Sequence, residues 1–153
     1  MNSPKSLAKH IRGVYFGPNW SDNNLKMYLA DITWQQAIGK VQELNTIAEL
    51  AYHVNYFVAG VSKVLEGGSL DIRDKFSFDV PPINNQSDWD TLLDQMWNDG
   101  EHFASLIEAM SEEQLWEDFT DPKYGNFHAN LLGIIEHLHY HLGQIVIIRK
   151  MLG

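Results

Sequence analysis

The chain has no cysteine among its 153 residues. That absence excludes a disulfide framework, a thiolate metal site and a cysteine nucleophile, so any thiol chemistry must take its sulfur from a substrate. Positive charge is also scarce: 11 Lys and Arg stand against 20 Asp and Glu, a net charge of −9. Nucleic acids and anionic membrane surfaces are therefore excluded as expected partners, since both call for clustered cations. The first twenty residues lack the continuous apolar stretch of a signal peptide, and no segment is expected to be long enough to span a bilayer. Internal repeats and low-complexity stretches are missing as well. What remains is an ordinary balance of 44% hydrophobic and 20% charged residues. It predicts one acidic, soluble, cytoplasmic domain over residues 1–153, long enough to bury a core without staples.

Convincing alternating strands are lacking, whereas helical periodicity is plentiful, so the expected fold class is all-α. A first helix is predicted over Pro4–Tyr15, with Leu7, Ile11 and Val14 or Tyr15 on one side, ending near Gly17-Pro18-Asn19. Leu25–Leu29 reads as a helical turn, and Thr33 as the N-cap of the next helix. A long helix beginning at Trp34 or Val41 is expected to run to Leu65, with Leu44, Ile47, Leu50, Val54, Val58 and Val61 inward, and to stop at Gly67-Gly68. The loop from Ser69 to Gln86 is expected to pack its aromatics across the end of the fold. Ser87 or Asp88 would cap a helix from Trp89 to Met110, in which Gly100 marks a close approach. The last helix takes Asn126 to Leu152, where nothing but Gly133 and Gly143 opposes helix formation. Four amphipathic segments make a four-helix bundle the simplest arrangement.

Seven histidines supply the most suggestive chemistry. At about 100° per residue, His137 and His141 fall on one helix face while His139 points the opposite way. Two imidazoles at i and i+4 can share a metal ion. His53 sits mid-helix among Leu50, Val54 and Phe57, where an inward imidazole needs a hydrogen-bond partner or a metal. If its helix neighbours the last one, three imidazoles converge, and three histidines with an open position is the ligand set of a catalytic metal. The competing reading is that all three are packed core residues. Glu136-x-x-His139 matches only half of a di-iron signature, and His10, His102 and His128 read as surface residues. Glu49, one turn before His53, and Asn130, two turns before His137, are the candidate catalytic residues, able to hold a ligand imidazole or a bound water. Tyr56 and Gln144 are further polar groups that could approach the site.

At these residues the chain resembles the DinB-like superfamily, with its bacillithiol-transferase and mycothiol-dependent isomerase branches. The likeness rests on Leu50-Ala51-Tyr52-His53-Val54-Asn55-Tyr56 and on His137-x-x-x-His141-Leu142-Gly143-Gln144, with Leu142 where the family carries a basic residue. Gly17-Pro18-Asn19-Trp20 and the loop Asp74–Asp79 add to it. The resemblance implies a four-helix bundle, often a homodimer, with a divalent metal (zinc, nickel or iron) on His53, His137 and His141. It implies a transferase acting with a low-molecular-weight thiol, or a related hydrolase, on a small molecule. The alternatives are a small-ligand-binding or stress-response bundle whose metal is structural or adventitious, and a plain helical interaction protein. Dimerisation draws some support from Trp89, Trp97 and Trp116, read as candidates for exposure.

Overall fold

The computed structural model describes residues 3–153, and these are all-helical, with a single isolated bridge, Asp118 to Asn126, as their only β pairing. Six helices follow one another: α1 (Ser3–Phe16), α2 (Leu25–Leu29), α3 (Trp34–Ala37), α4 (Ile47–Leu65), α5 (Gln86–Glu108) and α6 (Phe127–Leu152). Three single 3₁₀ turns lie in the connections. The four long helices, of 14, 19, 23 and 26 residues, touch in a closed circuit: α1 packs on α5, α5 on α4, α4 on α6, and α6 back on α1.

Each helix from α2 onward begins where a side chain can satisfy the free backbone N–H groups of a first turn. Asn24, Asn85 and Asn126 accept from the backbone at the starts of α2, α5 and α6. Thr33 and Thr46 form full capping boxes with Gln36 and Glu49. The second of these boxes corrects one expectation. The predicted helix from Trp34 or Val41 to Leu65 is two helices, because Thr46 and Glu49 start a new one at Ile47 after Gln42 has taken a positive φ of 49°. Leu44 consequently lies in the connection and is 44% exposed rather than inward. At α5 the cap is Asn85, just upstream of the expected Ser87 or Asp88, because Asn85 accepts from the Asp88 N–H.

The core runs through the circuit, from Ile11 and Val14 on α1 to Val54 and Val58 on α4, Met96 and Phe103 on α5, and Leu138 and Ile145 on α6. Gly100 permits a close contact between α1 and α5. A Cβ there would stand 2.4 Å from the Tyr15 ring, so no other residue fits without displacing a buried aromatic. Trp89, expected to be exposed, is instead completely buried; Trp97 is half-buried against Phe16, and Trp116 is exposed. The expectation that no segment matches a bilayer also fails. α6 is long and apolar enough to cross one by length and composition, since between Phe127 and Ile148 only Glu136 is an acidic or strongly basic residue. Its histidines and asparagine interrupt the apolar run to the eye without adding a fixed charge.

Candidate metal centre

α4 and α6 are packed neighbours, and this contact brings His53 to the helix that carries His137 and His141. The i, i+4 spacing turns both of the latter toward α4. The three offer ligand nitrogens that all lie within 4.8 Å of one another and could hold a metal ion. His137 Nε2 lies 3.0 Å from His53 Nε2 and 3.0 Å from His141 Nε2. Nitrogens 3.0 Å apart can share one ion at the usual zinc–imidazole distance of about 2.0–2.1 Å.

The opposite ring nitrogens decide which tautomers are present. Ser77 Oγ donates its own hydrogen to the Asp74 carbonyl at 2.7 Å, so toward His53 Nδ1, at 3.0 Å, it acts as an acceptor. His141 Nδ1 faces the Gln144 carbonyl oxygen at 2.6 Å, and a carbonyl can only accept. Both histidines therefore carry hydrogen on Nδ1, which leaves Nε2 as a bare lone pair. His137 Nε2 has at most one hydrogen to offer two such lone pairs. At least one of the two 3.0 Å nitrogen pairs is thus left without a hydrogen bond, an arrangement that a cation would relieve.

Protonation does not relieve it either. Burial, together with the neighbouring His141 and His53, pushes the His137 pKa down to about 4. His53 is lowered by burial and by His141, against smaller opposing effects of Ser77 and Asp74, and His141 is lowered by burial. All three rings are thus neutral at pH 7, the state in which imidazole binds metal. Aromatic rings enclose them. Phe78 stacks on His53 with centroids 4.0 Å apart and planes within 8°, Phe57 meets His53 and His137 edge-on at 5.1 Å, and Tyr140 meets His141 at 4.9 Å. The loop from Ser69 to Gln86 is thus folded over α4 at the histidines. Tyr56 pins it there, its hydroxyl bonding to both the N–H and the carbonyl of Arg73.

The groups that bond the ligand rings are Ser77 and Gln144, while Glu49 and Asn130 bond elsewhere. The Glu49 carboxylate is taken up by the Thr46 N–H at 2.6 Å and by Lys40 at 3.4 Å. Asn130 donates to the carbonyls of Tyr124 and Asn126, each at 2.9 Å. Both residues secure the start of a ligand-bearing helix. Ser77 was beyond sequence reasoning, since no helical register ties a loop serine to His53; Gln144 was legible as one turn beyond His141. Of the remaining histidines, His10 is exposed, the exposed His102 pairs with Glu66 at 2.6 Å, and His128 is half-buried on Trp116. His139, expected to be exposed, is half-buried beside Leu142 and Gly143. A groove of about 490 Å³ between α4 and α5, bounded by Tyr52, Asn55 and Asp99, has none of the three clustered histidines in its lining.

No family model, curated protein or solved structure matches this chain.

Proposed function

We propose that this protein is a divalent-metal-dependent enzyme of DinB-like four-helix-bundle type, a low-molecular-weight-thiol S-transferase or a related hydrolase acting on a small molecule. The observation that carries the reading is the pair of Nε2 lone pairs on His53 and His141, fixed by Ser77 and Gln144 and aimed at His137 Nε2. The closed circuit of α1, α5, α4 and α6 supports the bundle. Zinc, nickel and iron all suit three imidazoles. When bound, such an ion would keep its full charge among neutral ligands and lower the pKa of a thiol or water at its open position.

The chain's own residues do the rest. Ser77 and Gln144 hold two imidazoles in the ligating tautomer, as hydrogen-bond acceptors commonly do behind metal ligands. Phe57 and Phe78 exclude water from one side of the cluster. Glu49 and Asn130 act at a distance, by fixing the first turns of α4 and α6. The carboxylate of Glu49 is committed to its cap, so a bound ion would supply the activation of a thiol or water nucleophile. Any thiol would come from the cosubstrate, because the chain has none.

Elemental analysis of untagged protein tests the reading, comparing wild type with His53→Ala and His141→Ala. Near one equivalent of zinc, nickel or iron, lost in both variants, is the expected result. A wild type that takes up none of the three after reconstitution would overturn it.

A further inference from the structure

We infer that the cleft between α4 and α5 is a second binding site, apart from the histidine cluster, for a small organic amine: an ammonium group carried on an apolar body. Two chambers, of about 490 Å³ and about 370 Å³, share Tyr52, Asn55 and Gln95 in their walls and so adjoin along one trough. Each is of the size usual for a small-molecule site, about 300–1,000 Å³.

The walls are fixed in place. The loop between α4 and α5 is pinned where the Tyr56 hydroxyl bonds to both backbone groups of Arg73. Next to it, Ile72 lies so close to α4 that a Cβ at Gly60 would stand 2.5 Å from its side chain. Glycine is what lets the loop approach the helix there. Pro81 and Pro82, stiff by virtue of their rings, carry the wall on over the smaller chamber. A ligand entering such a trough has little left to order.

The two ends differ in chemistry. The smaller chamber is made apolar by Pro81, Pro82, Ile83 and Leu92. The larger one contains Asp99, half-buried, whose Oδ2 and Oδ1 accept from Asn55 Nδ2 and Gln95 Nε2, each at 2.8 Å. These amides aim the carboxylate without neutralising it, and each oxygen keeps a lone pair for another donor. Asp99 forms no ion pair with a described residue. The other acids of the lining are engaged: Glu66 with His102, Asp71 with Arg73, and Asp88 with the Asn84 N–H. Lys63, the one Lys or Arg in the lining, stands eight residues beyond Asn55 on α4, about 12 Å along the axis.

An oriented negative charge without a counter-ion selects a cation. The rings of Tyr52 and Tyr56, with centroids 6.4 Å apart, stand in the same wall, and aromatic faces attract cations too. An anionic ligand would be repelled, and a neutral one would leave Asp99 uncompensated. An ammonium group at Asp99, with its apolar body among the prolines, satisfies both ends.

Isothermal titration calorimetry of the full chain tests the inference with phenylbutylamine, phenylbutanol and phenylbutyrate, which share one apolar body and differ in charge. The amine is expected to bind at a single site, about tenfold or more tighter than the alcohol, with the acid weakest. Asp99→Asn should weaken the amine about tenfold or more and leave the alcohol unchanged. Asp94→Asn, which removes an exposed charge of α5 outside the trough, should change neither. Gln95→Trp, at an exposed position shared by both chambers, should abolish amine binding with unchanged helical circular dichroism. His137→Ala should bind the amine as wild type does, so this site stands or falls apart from the metal. The inference is overturned if wild type fails to bind the amine or binds all three probes alike. Wild-type amine affinity in Asp99→Asn or Gln95→Trp would overturn it as well. So would an equal loss in Asp94→Asn, which would reduce the effect to net charge, or a loss in His137→Ala, which would move the amine to the histidines.

Discussion

Ser77→Ala offers the sharpest probe of the histidine cluster, because it removes one oxygen and leaves every ligand nitrogen in place. Ser77 is almost completely buried, and its Oγ accepts the His53 Nδ1 hydrogen at 3.0 Å while donating to the Asp74 carbonyl at 2.7 Å. Its loss strands a buried N–H, which costs about 1–3 kcal/mol unless the ring rearranges. The ring can escape that cost by moving its hydrogen to Nε2, where it would point at His137. The lone pair needed for a metal is then lost, so affinity should fall about 10–100-fold, as for other partners standing behind metal ligands. Competition against a chromophoric chelator measures the affinity, and ¹⁵N chemical shifts of the metal-free protein report the tautomer. Ser77→Thr, which keeps the hydroxyl, should bind metal more tightly than the alanine variant. Wild-type affinity and an unchanged His53 tautomer in Ser77→Ala would refute the argument.

Packing and acid stability give two more tests. Gly100→Ala drives a Cβ to 2.4 Å from the Tyr15 ring and should destabilise the protein by about 1–3 kcal/mol; urea denaturation that finds it as stable as wild type would contradict the packing of α1 on α5. The metal-free protein should lose stability in acid. An unfolded histidine takes a proton near pH 6.5 whereas His137 does so near pH 4, so between these values the unfolded chain binds more protons and stability drops as pH falls. The full shift corresponds to about 3 kcal/mol, and about 1–2 kcal/mol is a sounder figure for a half-buried ring. Urea midpoints of wild type and His137→Leu from pH 7 to pH 4.5 check this, since the variant should show a flatter dependence and an equal slope would contradict it.

Much of the local structure is legible because its causes are local. The limits of α1 and α6, the turn at Leu25–Leu29 and the cap at Thr33 agree with the structure, since each depends on residues a few positions apart. The break before α4 is written in the chain too, as Thr46-x-x-Glu49, but apolar periodicity continues across it and hides it. Glu49, a candidate for catalysis by its spacing from His53, has its first obligation to the helix start. Trp89 shows the opposite limit: sequence position alone does not show that α5 turns this ring into the core.

By itself, the sequence determined that the chain is helical, that no thiolate can bind metal, and that His137 and His141 share a face. These follow from composition and from the fixed rotation of the α-helix, and they need no knowledge of what packs where. Only the tertiary structure decided that α4 lies against α6, so that His53 meets residues more than eighty positions away. It also decided that a loop serine and a glutamine, rather than Glu49 and Asn130, set the ring hydrogens. The physical reason is one of range. A helix turn orders residues three or four apart through the backbone, whereas contact between distant rings depends on which apolar faces bury each other. That choice belongs to the whole core.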